Sequence, residues 1–116
     1  MESDLVAVLQ TQCPRVFPDV AEHTTALPYV TWQLIGGTPW RYVENTAADR
    51  RHSLVQVNAW AKTRAETLTL IRSIETALCA ASQFTARPES EPIADMDEDT
   101  DRRGCLQDFS IWSLRA

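Results

Sequence analysis

Residues 51–81 read RHSLVQVNAWAKTRAETLTLIRSIETALCAA, and a change of period inside this stretch decides the fold. Val55, Val57 and Ala59 alternate with Gln56, Asn58 and Trp60, the period-two pattern of a strand with one buried face. A strand is predicted from Arg51 to Ala61. Thr63-Arg64-Ala65-Glu66 follows as a capping box: the Thr63 hydroxyl can accept a backbone N–H of the first turn, with Glu66 three residues on. Beyond it Leu70, Ile71, Ile74, Ala77, Leu78 and Ala81 fall at helical spacing on one face, with Arg72 and Glu75 on the other side. A helix is predicted from 64 to about 82.

The flanks complete the pattern. Ser3 is a candidate cap for a first helix over residues 4–12, with Asp4 in its first turn, Leu5, Val6, Val8 and Leu9 as its apolar face and Pro14 as its stop. Residues 15–18 suggest a brief extended piece. Residues 27–35, LPYVTWQLI, are β-branched and aromatic and predict a strand with Val30, Trp32 and Leu34 on one face and Tyr29, Thr31 and Ile35 on the other. Gly36-Gly37-Thr38-Pro39 ends it. Residues 40–50 are expected as a loop or irregular arm carrying Trp40 and Tyr42. Phe84 opens a short strand broken near Pro88, and residues 92–96 form an extended candidate. Arg102–Leu114 is a last long strand, with Cys105, Phe109 and Ile111 on one face and Leu106, Trp112 and Leu114 on the other.

The expected order is α-β-β-α-β-β. It implies an α+β domain spanning 1–116: a mostly antiparallel sheet of about four strands, one long helix across one face and a short N-terminal helix. The other face of such a sheet is open, and Trp32, Trp60 and Trp112 are candidates to lie on it.

Composition narrows the function classes. The chain has 116 residues, 44% hydrophobic and 23% charged, with a net charge of −5. Residues 1–88 carry 8 acidic and 8 basic side chains, whereas residues 89–116 carry 8 acidic and 3 basic. The whole excess therefore sits in the last quarter. An acidic balance argues against tight nucleic-acid binding, which needs clustered Lys and Arg. Apolar runs fall far short of the ~20 residues of a membrane span. The acidic start MESDLVAVLQ does not resemble a secretory signal or a transit peptide, so folding in the cytoplasm is expected. Ten of the eleven basic residues are Arg, which favours interface pairing. Cys13, Cys79 and Cys105 are odd in number and far apart, so reduced thiols are expected, two of them in the core.

Catalytic patterns are sparse. Three glycines make no phosphate cradle, and neither GxSxG nor HExxH occurs. His23 reads as solvated, and His52 as a structural or surface residue. Residues 89–101, ESEPIADMDEDTD, hold seven carboxylates and no basic residue. Asp95, Asp97, Asp99 and Asp101 alternate like the first ligands of a calcium loop, but Thr100 stands where that loop needs glycine and Leu106 where it needs a bidentate glutamate. A solvated, self-repelling hairpin fits better than a cation site. No cofactor or metal is expected, and no enzymatic activity.

Several strings together resemble the small tail-completion proteins of long-tailed bacteriophages and prophages, which are similar in fold to the lambda-type tail terminator. They are the first helix with Leu5 and Leu9, Val16-Phe17-Pro18, the strand opening Leu27-Pro28-Tyr29-Val30, and His52–Ala61 leading into the helix with Leu68, Ile71, Ile74 and Leu78. The closing strand with Phe109-Ser110-Ile111-Trp112 completes them. The resemblance spans nearly the whole chain. It implies a structural protein, monomeric or weakly associated alone, that forms a six-fold ring on the tail tube. There it caps the tube, ends polymerisation and offers the head-joining surface, with the tail tube protein and the head-tail connector as partners. It also implies assembly in the host cytoplasm, residence in the virion tail or neck, and DNA passing through the ring. A heterologous ring needs two complementary patches. The candidates are the open face with Trp60 and Trp112, and Trp40, Arg41, Arg50 and Arg51 facing the acidic Asp95, Asp97, Glu98, Asp99 and Asp101. The same acidic residues are candidates to line the lumen. The competing expectations are a small dimeric ligand- or protein-binding module and a head-side connector.

Overall fold

In the computed structural model the chain runs α1 (Glu2–Gln10), β1 (Val16–Pro18), β2 (Tyr29–Gly36), β3 (Arg50–Ala61), α2 (Arg64–Ala80), β4 (Thr85–Pro88), β5 (Ile93–Asp97) and β6 (Arg102–Leu114). The structure describes residues 1–21, 25–38, 50–97 and 102–114, and at Arg50, Met96, Asp97 and Leu114 the backbone alone. The strands form one six-stranded sheet in the order β1-β2-β3-β6-β4, with β5 also on β6.

β3 and β6 are the centre. They pair antiparallel from Arg50 opposite Leu114 to Ala61 opposite Arg103 without a slip. The alternation of β3 therefore continues across β6: Val55 faces Phe109, Val57 faces Gln107, and Ala59 faces Cys105. These residues are buried, and with Ile71, Ile74 and Leu78 of α2 and Leu5, Val8 and Leu9 of α1 they make the core. Both helices thus cover one face of the sheet.

The α+β class, the long helix and the short N-terminal helix match the sequence reading, but the sheet is larger and mixed. It has six strands rather than about four. The extended piece after α1 is a true strand, pairing parallel to β2 through Val16–Val30, Phe17–Thr31 and Pro18–Trp32. β4 and β5 are separate strands that share the outer side of β6, β4 along residues 109–112 and β5 along residues 102–106. Pro88 ends the first of these because proline has no N–H for a ladder.

The first helix also starts earlier than residue 4. Met1 is its N-cap with no side-chain capping bond, so Ser3 lies inside the first turn. The helix ends at Gln10, where the Thr11 hydroxyl donates to the Val8 carbonyl at 2.6 Å. The capping box of α2 is formed: Thr63 Oγ1 accepts from the Glu66 backbone N–H at 3.2 Å. Its buried residues are Thr67, Ile71, Ile74 and Leu78. Leu70, expected on this face, lies only half-buried beside it, and Thr67 takes its place because its hydroxyl is satisfied by the Arg64 carbonyl at 2.7 Å. Cys13 and Cys105 are buried and Cys79 is exposed, all three free.

The largest buried polar side chain among the described residues is that of Gln107. Gln107 is fully buried between Cys105 and Phe109 on the helix-facing side of β6. Its amide donates to Glu75 Oε1 of α2 at 2.7 Å and to the Ser90 carbonyl at 2.8 Å, tying helix, sheet and the β4–β5 connection together. Its own Oε1 has no partner among the described residues. Gln107→Leu removes that orphan but leaves the Glu75 and Ser90 oxygens short of a donor. The lost pairing outweighs the relief, and a loss of about 1–2 kcal/mol is expected in urea denaturation. Thr63→Ala removes the cap alone and is expected to cost about 1 kcal/mol in the same measurement.

Candidate functional site

The face of the sheet away from the helices carries two aromatic clusters with a polar band between them. At one end Trp60 stacks on Tyr29, with centroids 6.3 Å apart and 22° between planes. Phe17 meets the Tyr29 edge at 6.5 Å, and the Arg102 guanidinium lies 5.2 Å from the Tyr29 centroid. The indole of Trp60 lies over Gly104, its register partner. A Cβ on Gly104 meets Trp60 ring atoms at 2.9 Å, so only glycine lets the indole lie flat there. The central band, Thr31, Gln56, Asn58 and Asp108, is polar, and Gln56 donates to Asp108 Oδ1 at 3.2 Å.

At the other end His52 packs on Trp112 at 4.8 Å, and Arg87 lies 5.9 Å from the Trp112 centroid. His52 Nδ1 accepts from the Thr38 backbone N–H at 2.8 Å. The proton is therefore on Nε2, which donates to Ser110 Oγ at 3.1 Å. Ser110 in turn donates to Glu89 Oε1. Serine, histidine and a carboxylate thus sit together, but in the wrong order for acyl transfer. A nucleophilic serine gives its proton to histidine, and the carboxylate orients histidine from the far side. Here serine lies in the middle, donates its hydrogen bond to the carboxylate and is 2% exposed. The chain of bonds is a clasp joining the end of β2, β3, β6 and the β4–β5 connection. Gly37 belongs to it: a Cβ there meets the His52 carbonyl at 2.4 Å, so glycine lets this segment approach β3.

The residues singled out by sequence are distributed as follows. Trp60 and Trp112 lie on the open face, both half-buried by these neighbours, whereas Trp32 lies on the helix side and is buried. Arg50 opens β3 opposite Leu114, and Arg51 is exposed opposite Ser113. Asp95 is exposed on β5 opposite Gly104, and Asp97 ends β5 opposite Arg102. Trp40, Arg41, Glu98, Asp99, Asp101 and His23 lie outside the described residues. The register places Asp95 level with Trp60, nine residues from Arg51 along β3. At ~3.3 Å per residue this is about 30 Å, so Asp95 and Arg51 of one subunit do not meet, and the arginines near Asp95 are Arg102 and Arg103 of β6.

Among the described residues no group of three or more His, Cys, Asp or Glu is placed to hold a metal. An open groove of about 590 Å³ beside α2 is lined by Pro28, Ala61, Ala65, Glu66, Thr69, Leu70 and Ser73, with one carboxylate and no base or nucleophile pair. The thiol of the exposed Cys79 is pushed up by its partial desolvation and then by the Glu75 charge, the opposite of an activated nucleophile. Among the described residues no helix is long and apolar enough to cross a membrane.

Residues 1–113 match the family model of tail completion protein gp17, and the chain belongs to that family. It is a structural component of a phage tail. No curated protein matches it significantly.

Gly104 was not legible as a constrained position, because its need for glycine comes from Trp60, 44 residues earlier in the chain. Gly104→Ala is expected to displace the indole and cost about 1–3 kcal/mol, the range for an overpacked site. In a Trp60→Ala background the same change should cost far less, and a double-mutant cycle measures the difference.

Proposed function

We propose that this chain forms a ring of about six copies on the head-proximal end of the tail tube. The ring ends tube polymerisation and presents the surface on which the head-tail connector docks. Family membership over residues 1–113 supports a tail-completing role. The reading adds that Arg50 and Arg51 open β3 at one end of the sheet, while Asp95 and Asp97 of β5 stand toward the other end, where Arg102 and Arg103 of β6 also lie. Patches that are complementary but too far apart to meet within a subunit favour head-to-tail association, which closes into a ring when the rotation closes.

The acidic segment has a second role in this reading. Six copies at −5 each carry about −30, concentrated in residues 89–116. Residues 95–101 directed at the lumen repel the DNA phosphates, so DNA slides through without sticking to the wall. The tail tube protein and the connector are the remaining partners, and their contacts fall on the two rims of the ring.

Electron microscopy of particles made without this gene tests the reading. Overlong or headless tails beside filled, tailless heads are the expected outcome. Virions with tails of normal length and normally attached heads exclude it. The lumen role has its own test, a triple variant with Asp97→Lys, Glu98→Lys and Asp99→Lys. Infectivity is expected to fall while the melting temperature of the isolated protein stays put, and normal plaque counts remove the idea.

A further inference from the structure

The ring of His52 has a different task at each nitrogen. Nδ1 accepts from the Thr38 backbone N–H at 2.8 Å, and Nε2 donates to Ser110 Oγ at 3.1 Å. Ser110 donates onward to Glu89 Oε1. A backbone N–H is always a donor, so Nδ1 has to present a bare lone pair to it. This fixes the neutral ring with its hydrogen on Nε2 and leaves one place for a second proton, Nδ1 itself.

The two sides of the ring respond differently to that proton. On Nδ1 it sets N–H against N–H, and the Thr38 bond is lost. The Nε2 side keeps its donor, and the bond toward Ser110 and the Glu89 carboxylate is strengthened by the charge. Trp112, with ring centroids 4.8 Å apart, packs against the imidazole, and an indole face attracts a cation. Protonation therefore leaves the ring seated on β6 and removes its contact toward β2.

The segment at the other end of that bond has a backbone that can turn away. Gly36 and Gly37 have φ of 118° and 147°, the region that favours glycine. Gly36 is the last residue of β2 paired with β3, opposite Leu54 and past a shift in register. The Thr38 bond fastens the chain two residues beyond that pairing, where Gly37 passes close against the His52 carbonyl. The bond lies at the surface, so a released Thr38 N–H is met by water and the core is not opened.

Among the described residues the charged groups around the ring are Glu89 behind Ser110, Arg87 across Trp112, Asp108 on the same face of β6, and Arg50 and Arg51 just before His52 on β3. They set the pH at which the ring charges, and not the atom that takes the proton.

We propose that His52 is a pH-sensitive latch: neutral, it fastens Gly36–Thr38 to β3, and protonated, it lets that segment go while keeping its own hold on β6. The fastening is present above the titration of the ring and is lost as pH falls through it. The latch belongs to the monomer and does not depend on the ring reading.

NMR of the full chain, titrated from about pH 8 to about pH 5, tests the latch. At the alkaline end His52 is expected to show a bare Nδ1 and a protonated Nε2. On acidification the Thr38 amide is expected to shift with the same midpoint as the imidazole. Its exchange protection, corrected for the intrinsic effect of pH, is expected to fall about two- to tenfold, the worth of one hydrogen bond. The amides of Val55, Val57 and Phe109 stay protected throughout. His52→Asn keeps an acceptor near the Nδ1 position and has no proton to gain, so its Thr38 amide is expected to hold across the range. An imidazole carrying its hydrogen on Nδ1 at the alkaline end, or one still neutral at the acidic end, overturns the proposal. So does a Thr38 amide that ignores the titration of His52, or one that titrates with the same midpoint in the His52→Asn chain.

Discussion

The register between β3 and β6 is the constraint on which the rest of the molecule depends. Side chains alternate with a period of two, so a slip of one residue turns every side chain of a strand to the opposite face. Such a slip moves Val55, Val57 and Ala59 out of the core and brings Gln56, Asn58 and Trp60 into it. The same pairing lays Trp60 over Gly104, sets His52 beside Trp112 and places Gln107 under Glu75. It also fixes the distance between the acidic strand and the arginines. Packing, aromatic clusters and charge layout are three readouts of one alignment.

That dependence explains what the amino-acid order disclosed. β3, α2 and β6 were legible because each carries its own periodic pattern, long enough to outweigh local accidents. The Thr63 cap was legible because its partner, Glu66, is three residues away. β1 was under-read as an extended piece, since three residues have no period and a parallel neighbour leaves no turn signal. Strands β4 and β5 blurred because both are short and proline-flanked. Gln107 looked like a break in the apolar face of β6, and only the helix above it shows why a glutamine fits. At the site, Asp95, Arg51, Trp60 and Trp112 were named from residue type, but their spatial relation was not. Thr38 and Ser110 were missed as partners of His52, and Glu89 as the partner of Ser110, because these contacts span 14 residues or more of chain.

The open face shows how such a layout serves a structural protein. Both aromatic clusters are anchored internally, by Phe17 and Arg102 at one end and by Arg87 and the His52 clasp at the other. Little apolar area is left loose on this face among the described residues. The exposed large hydrophobic side chains on the described strands, Leu34, Ile35 and Ile93, fall on β2 and β5.

The position of β6 has a consequence for how the molecule comes to be. It is the last strand in chain order, yet it lies between β3 on one side and β4 and β5 on the other. During synthesis everything before Arg102 emerges without the strand that joins it. β3 can pair with β2, but β4 and β5 have no described partner, and α2 has only half a floor. A growing chain therefore holds its apolar stripe open until β6 arrives, and the pairings β6 then makes join residues far apart in sequence, the slow kind to form. Premature termination anywhere upstream of β6 leaves a strand-rich fragment with bare edges, a substrate for chaperones and proteases rather than a smaller folded protein.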